Sequence, residues 1–150
     1  MLSKKSFLRA RKIFSYKQVI GKDKKAYIVY SSANIKDGEI NLLDKNGNFR
    51  NGFDRTAFES LENHVHITDK VFMSNFNNLC NQGELIGQLM LAKLKLDFPD
   101  KHFYVFVTIQ IRESMIVRFH QRWENEDPWI NVDDPYWQTQ KGLKVFCFYN

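Results

Sequence analysis

The sequence predicts a single α+β domain, in which a mainly antiparallel sheet carries helices packed on one face. The chain has 150 residues, which is the size of one ordinary domain. Its hydrophobic content is 43%, with only 3 Pro and 7 Gly, and such a composition is typical of a packed globule. Two neighbouring segments, 102–111 and 115–123, alternate between side-chain types as paired strands do.

The positive charge is concentrated near the N-terminus, so we separate a basic segment, residues 1–25, from a single α+β domain over residues 26–150. Nine of the 22 Lys and Arg residues lie in the first segment, together with one acid. Three interpretations stay open: a solvated first element, a surface that contacts nucleic acid or an acidic protein, and a targeting segment. A nucleic-acid contact would use five cations: Lys4, Lys5, Arg9, Arg11 and Lys12.

The first third of the chain predicts one helix, one strand and a turn-rich connection. A basic helix is predicted over residues 3–20, because apolar residues recur there near helical spacing, and the charged run that begins at Gly21 ends it. Residues 26–35 predict the first strand, since they are rich in β-branched and aromatic side chains. The Asn-Gly pair within residues 37–53 predicts a hairpin or a long turn-rich loop.

Helical patterns fill most of residues 54–98, and we expect a pair of helices from this region to pack on one face of the sheet. A short helix begins at Asp54, whose side chain is a favoured cap. A second helical pattern begins at Thr68, and Gly83 separates it from a third. Pro99 ends the third, because the residue before a proline disfavours helical backbone. Its apolar stripe has helical spacing: Leu85, Leu89, Ala92 and Leu96.

The hairpin of segments 102–111 and 115–123 is predicted to have a loop with an odd number of residues, for example 113–115. The resulting pairs join Ile111 to Val117, Ile109 to Phe119, and Val107 to Gln121, and they give one apolar face. A two-residue loop would instead move charged side chains into the apolar row, at a cost of several kcal/mol.

The other face of this hairpin is therefore expected to be polar, cationic and exposed. Arg118, His120 and Arg122 occupy alternate positions on it. Their expected neighbours come from the first strand of the hairpin: Tyr104, Thr108 and Gln110.

This row of cations permits three interpretations: the solvated side of a sheet, a contact surface, and an active site for phosphodiester cleavage. Adjacent cations favour neutral imidazole at His120, which suits a general base. The sequence contains no signature of the common enzyme classes, so we predict no catalytic residues and no enzymatic activity. A phosphodiesterase or ribonuclease centred on His120 is the least favoured alternative.

No metal site or cofactor is predicted. His64 and His66 have a spacing that metal sites use, yet no third ligand is marked by spacing. Cys80 and Cys147 belong to no metal-binding or disulfide pattern, which indicates a reducing compartment such as the cytoplasm. No run of 18 or more apolar residues is present, and no association with a membrane is expected.

The acidic, aromatic segment 124–137 predicts a surface loop, and residues 142–150 predict a final strand. Two interpretations of the aromatic side chains stay open: they bind a basic partner, or they fold back over the edge of the sheet. If the segment and the cationic row bind a partner, eight residues are the candidates: Arg118, His120, Arg122, Trp129, Asp133, Asp134, Tyr136 and Trp137.

The run from Phe98 to Trp129, FPDKHFYVFVTIQIRESMIVRFHQRWENEDPW, resembles a strand pair in small bacterial immunity proteins of polymorphic toxins. The resemblance rests on a helix ended by proline, an alternating hairpin and the RFHQRW ending. It implies a single cytosolic α+β domain that binds a cognate toxin and blocks its active site. We therefore expect a non-enzymatic protein-binding protein of this kind, and a nucleic-acid-binding module that uses the basic N-terminus is the alternative.

Overall fold

The computed structural model describes residues 4–150, without the side chain of residue 7. The order of elements along the chain is α1 (Lys4–Lys12), β1 (Tyr16–Ile20), β2 (Ala26–Tyr30), α2 (Arg55–Glu62), β3 (His64–Thr68), α3 (Phe76–Asp97), β4 (Phe103–Gln110), β5 (Met115–Gln121), α4 (Pro135–Thr139) and β6 (Leu143–Tyr149). Among these residues, no helix combines the length and the apolar content that crossing a membrane requires.

The strands form two antiparallel sheets. β1 and β2 make a two-stranded sheet, and the remaining strands make a four-stranded sheet in the order β3-β5-β4-β6. Helices α1 and α3 pack against the larger sheet, while α2 contacts both β2 and β5. The predicted single α+β domain with mainly antiparallel strands is therefore confirmed.

The core lies between α3 and one face of the larger sheet. Val105, Val107, Val117 and Phe119 are completely buried there. Burying side chains of this size contributes roughly 1.5 to 3 kcal/mol each, so this layer fixes which face of the sheet points inward.

Two local predictions are confirmed. Asp54 caps α2, because its carboxylate accepts a hydrogen bond from the Ala57 amide at 2.7 Å. The turn-rich connection is also present, with a single bridge between Leu43 and Phe49 around the Asn-Gly turn.

The predicted helix over residues 3–20 is wrong in its second half. Helix α1 ends at Lys12, and Tyr16–Ile20 forms strand β1 paired with β2. Residues of the basic segment thus take part in a helix and a strand. Residues 16–20 form a strand rather than a helix for two reasons. Val19 and Ile20 are β-branched, and every residue of this segment pairs with a residue of β2.

The two helical patterns on either side of Gly83 form one helix of 22 residues, and Thr68 ends strand β3 rather than capping a helix. The predicted break at Gly83 is therefore wrong. Gly83 and Gly87 face the sheet, where a Cβ on Gly83 would lie 2.9 Å from Ile109 Cδ1. The glycines let the helix backbone approach the sheet closely, so they mark a contact rather than an end.

The central hairpin has the predicted odd loop, but at Ile111–Glu113, two residues earlier than expected. Val107 pairs with Val117 rather than with Gln121, and Ile109 pairs with Met115 rather than with Phe119. The turn forms there because Arg112 adopts a left-handed backbone with φ 67° and the Gln110 amide bonds to the Ser114 carbonyl at 3.0 Å. Because the shift is an even number of residues, each side chain stays on its predicted face.

Candidate functional site

A segment of residues 124–140, called here the capping segment, lies over the polar face of the larger sheet. It includes helix α4, which contacts β6. Its start is fixed by Glu126, whose carboxylate accepts hydrogen bonds from the Thr56 amide at 2.7 Å and from Arg55 at 3.2 Å. The second fixed point is the Trp129 amide, which donates to His120 Nε2 at 3.2 Å. The segment thus folds back over the sheet, and this arrangement leaves its outer side chains, including Tyr136, exposed.

His120 lies under the capping segment, with only 1% of its surface exposed. Its Nδ1 donates to the Gln121 carbonyl at 2.6 Å, and its Nε2 accepts from the Trp129 amide. Burial lowers the pKa of His120 to about 4, so the ring is neutral at neutral pH. The expected exposure of this residue is wrong, because strand alternation decides which face a side chain takes and says nothing about what covers that face.

Arg118 is half-buried at the bottom of an open pocket of about 330 Å³ between the sheet and the capping segment. Its guanidinium carbon lies 5.4 Å from the centre of the Trp129 ring. Among the described residues it forms no hydrogen bond and no ion pair. Burial lowers the pKa of Arg118 from its ordinary value.

Two other polar side chains, Thr108 and Gln110, line the pocket beside Arg118. The walls are apolar and consist of Trp129, Ile130, Trp137 and Leu143. A mainly apolar pocket with a few convergent polar groups is typical of a ligand site.

Arg122 lies outside strand β5 and apart from this pocket. It donates to the Asn150 carbonyl at 2.7 Å, and its guanidinium carbon lies 5.3 Å from the Tyr104 ring and 5.9 Å from the Tyr149 ring. The three residues that were predicted to be equivalent therefore lie in three environments. Arg118 is a half-buried cation with no hydrogen bond or ion pair in the described part of the chain, His120 is a buried neutral imidazole, and Arg122 is an exposed cation on aromatic rings.

The outer surface of the capping segment carries the remaining candidate residues. Trp129 is 37% exposed, Tyr136 is 55% exposed, and Trp137 is half-buried with its ring centre 5.1 Å from that of Tyr136. Asp133 and Asp134 are exposed, and Asp134 also caps α4 through a hydrogen bond from the Tyr136 amide at 2.9 Å. Exposed acidic and exposed aromatic side chains therefore occur together on the outer surface of the capping segment.

Glu59 is a buried titratable group that sequence reasoning missed. Its carboxylate is fully buried on α2 and accepts four hydrogen bonds. The donors are the Ile28 amide, the Gln121 amide, the Gln121 side chain and the Trp123 ring, at 2.6 to 3.1 Å. Burial raises the pKa of Glu59 to about 7, against the opposing effect of these donors. The sequence signal was faint: in α2 the residues that point inward are polar, and Glu59 is one of them.

His64 and His66 lie side by side at the exposed edge of the larger sheet, with ring centres 5.8 Å apart. His66 Nδ1 contacts Asp69 at 3.0 Å, and His64 Nδ1 contacts the Leu61 carbonyl. Within residues 4–150, no group of three His, Cys, Asp or Glu side chains is arranged to hold a metal ion.

The cations of the alternative nucleic-acid surface lie on α1, which packs against β3. Arg9 forms an ion pair with Asp69 at 2.9 Å. The other four are exposed: Lys4, Lys5, Arg11 and Lys12.

Comparison with known proteins gives one family and no individual relative. The model of the family described as "Uncharacterized protein PM0498 family" matches residues 6–135. Neither a curated protein nor a solved structure matches the chain. The matched range includes Glu59, Arg118, His120 and most of the capping segment, and it covers more than half of the chain. The chain belongs to the Uncharacterized protein PM0498 family.

Proposed function

We propose that this protein is a non-enzymatic protein-binding protein, and that the outer surface of the capping segment is where it contacts its partner. The observation that carries the proposal is the coincidence of exposed aromatic side chains, Trp129 and Tyr136, with exposed acids, Asp133 and Asp134. Trp and Tyr are the residues that contribute most to binding at interfaces, and acids around them select a basic partner surface.

The attachment of the capping segment supports this role. Glu126 and the Trp129 backbone fix the segment to α2 and β5, so its outer side chains are held before a partner arrives. A pre-organised surface loses less conformational entropy on binding, which increases affinity.

The state of His120 supports a non-enzymatic function. A general base needs a ring nitrogen that reaches the substrate, and both nitrogens of this ring are already engaged with backbone groups. The imidazole fixes the capping segment instead of facing a substrate.

The partner class that we propose is a bacterial toxin, with this protein as its immunity-type inhibitor in the cytoplasm. The resemblance of residues 98–129 to such proteins supports this assignment, and so does an acidic, aromatic surface of the kind that covers a basic active site. A partner of this class would present Lys or Arg side chains around an apolar centre.

The test uses the toxin domain encoded next to this gene, purified and titrated against the full chain by calorimetry. We expect a stoichiometric complex and protection of cells that produce the toxin. The double variant Asp133→Ala/Tyr136→Ala should bind roughly 10- to 100-fold more weakly.

The matched control is Glu84→Ala/Leu85→Ala, which removes one exposed acid and one exposed apolar side chain from α3, on the opposite side of the sheet. It should bind as the unmodified protein does. Equal losses in the two double variants, a toxin that the folded protein neither binds nor inhibits, or a gene without a neighbouring toxin gene would contradict the proposal.

A second candidate function, nucleic-acid binding, is favoured by the four exposed cations of α1. Contacts between Lys or Arg side chains and the phosphates of a nucleic acid release counterions, so the affinity should fall steeply as the salt concentration rises. Binding to a random 20-nucleotide RNA or DNA should weaken in Lys4→Gln/Lys5→Gln and stay unchanged in Lys93→Gln/Lys95→Gln. Salt-independent binding, or none at low salt, would exclude this candidate.

A further inference from the structure

We propose that the pocket beneath the capping segment binds a carboxylate carried on a small apolar body, with Arg118 as the group that pairs with the carboxylate. The pocket lies between the sheet and the capping segment, whereas the proposed partner surface is the outer side of that segment. Trp129 takes part in both, but the residues that test them differ: Asp133 and Tyr136 lie outside the pocket lining, and Arg118 lies outside the partner surface, so each proposal can fail while the other stands.

The guanidinium of Arg118 is isolated from acceptors in the described part of the protein. A guanidinium has five N–H donors, and those of Arg118 open to the pocket without an acceptor among the described residues, so they are available to a ligand. Within residues 4–150 this guanidinium forms no hydrogen bond and no ion pair, and the Trp129 ring that it faces offers no acceptor in the plane of its N–H groups. Each of the other two Arg side chains with comparable burial or aromatic contacts has an oxygen partner: Arg55 pairs with Asp23 and Glu126, and Arg122 donates to Asn150.

The pocket is suited to a ligand with one negative charge. Among the described residues, Arg118 is the one cation that lines the pocket, so the charge of the pocket matches a single negative charge. The capping segment carries five acids and no Lys or Arg, and these acids disfavour a dianion such as phosphate. A carboxylate has one charge and two oxygens in a plane, which suits the planar fork of Arg118. Thr108 and Gln110, which have no side-chain hydrogen bonds among the described residues, add two neutral groups beside it.

The part of the pocket away from Arg118 is suited to an apolar group. The walls of Trp129, Trp137 and Leu143 are apolar, and two of the three are flat rings. The volume of about 330 Å³ equals that of about ten water molecules. A benzene ring with one carboxylate fits within this space and has the same mixture of apolar and anion-binding requirements. The source of the carboxylate is either a free acid or the C-terminus of a peptide that ends in an apolar residue.

The experiment titrates the full chain with benzoate and follows the indole N–H signals of Trp129 and Trp137 by nuclear magnetic resonance. Benzamide, which has the same shape without the charge, should bind about 10- to 100-fold more weakly. Acetate, which lacks the apolar body, and phenylphosphonate, which is a dianion, should also bind more weakly than benzoate. N-acetylphenylalanine is included because tighter binding than benzoate would identify the peptide C-terminus as the source, and weaker binding would identify a free acid.

The variant that tests the role of Arg118 is Arg118→Met, which replaces the stem of the side chain with an unbranched apolar one and removes the guanidinium with its charge. It should lose benzoate binding about 10- to 100-fold, and its melting temperature should be equal to or higher than that of the unmodified protein, because no partner is left unpaired. The matched control, Arg122→Met, should keep benzoate binding.

Three results would overturn the proposal. The first is equal affinity for benzoate and benzamide in the unmodified protein. The second is no signal change with benzoate at millimolar concentration. The third is a fall in the melting temperature of Arg118→Met by several degrees, since that would show a structural partner for the guanidinium.

Discussion

At the scale of single residues, two buried titratable groups have pKa values shifted in opposite directions. Glu59 is an acid whose pKa burial raises to about 7, and His120 is a base whose pKa burial lowers to about 4. Both shifts have one cause, because desolvation disfavours the charged form of either group. The neutral imidazole is also the form that its contacts require, since Nε2 accepts a hydrogen bond from the Trp129 amide.

These shifts predict how the free energy of unfolding depends on pH. Between pH 4.5 and 7 the folded chain keeps a proton on Glu59 that the unfolded chain releases, so Glu59 makes stability fall as the pH rises. Between pH 4 and 6.5 the unfolded chain takes up a proton on His120 that the folded chain excludes, so His120 makes stability rise with pH. Between pH 4.5 and 6.5, where both ranges apply, the opposite slopes of the unfolding free energy nearly cancel.

We expect the variant of either residue alone to show a pH dependence of the unfolding free energy that the unmodified protein lacks. In Glu59→Gln, unfolding free energy should rise with pH, relative to the unmodified protein, by about 1.4 kcal/mol per pH unit between pH 5 and 6.5. In His120→Gln it should fall by a similar amount. Urea unfolding at four pH values measures both, and the double variant should return the original slope. Identical slopes in all four proteins would show that neither group is shifted.

At the scale of elements, helix α3 shows where a sequence pattern succeeds and where it fails. Helical spacing correctly indicated a helix there, and Pro99 follows its end as predicted. The apolar stripe nevertheless points to solvent, with exposed Leu85, Leu89 and Leu96. The buried side is instead Leu79, Gly83, Gly87, Met90 and Leu94. Hydrophobic periodicity could not identify it, because two of its five positions are glycines that contribute no hydrophobicity.

The orientation of α3 predicts opposite results for two neighbouring leucines. Leu94 is completely buried, whereas Leu96 is 80% exposed. Leu94→Ala should lower the unfolding free energy by about 2 to 5 kcal/mol, and Leu96→Ala should change it by less than about 0.5 kcal/mol. Chemical denaturation of the two variants measures this difference. Similar losses in both would mean that the helix is rotated about its axis.

Gly87 gives a second prediction for this helix. Alanine is normally about 1 kcal/mol better than glycine inside a helix. At position 87, however, an added Cβ would lie 2.6 Å from Cδ2 of Phe148. Gly87→Ala should therefore lower the melting temperature, whereas Asn81→Ala, at an exposed position of the same helix, should raise it slightly. A stabilising Gly87→Ala would mean that the helix lies further from β6.

At the scale of the whole molecule, helix α2 joins the two sheets through side chains. Glu59 and Asn63 bind the free edge of β2 at the Ile28 and Tyr30 amides, at 2.9 and 3.2 Å. Glu59 also accepts from the Gln121 amide of β5, and the Asn63 carbonyl accepts from the Phe119 amide at 3.2 Å. Two side chains and one main-chain carbonyl, at the end of α2, thus connect the sheets in place of a strand.

This connection predicts a local change in hydrogen exchange. Asn63→Ala removes the acceptor of the Tyr30 amide and leaves the Ile28 carbonyl without its donor. The Tyr30 amide should exchange at least about tenfold faster in this variant, and unfolding free energy should fall by about 1 to 3 kcal/mol. The Val29 amide, which alternates to the β1 side, is the internal reference. Equal acceleration of both amides would indicate global destabilisation alone.

The sequence was sufficient for the fold class, for β2, β4 and β5, for the cap of α2 and for the face of His120. These features depend on neighbours in the chain or on strand alternation. The site is formed by hydrogen bonds between residues that lie far apart in the sequence. Glu126 and Thr56 are separated by 70 positions, and Glu59 and Gln121 by 62. Local patterns contain no information about such pairs, so the burial of His120 and the role of Glu59 could not be predicted.

The hydrogen bond that fixes the capping segment at residue 129 uses the main chain of Trp129 and the ring of His120. The amide is common to every residue except proline, so the attachment is independent of which side chain stands at this position. Mutation can therefore change the exposed side chain at residue 129 without detaching the segment. A lineage under selection to recognise a changing partner would retain the histidine and vary exposed residues outside the pocket lining, such as Asp133 and Tyr136, because the Trp129 ring also covers Arg118.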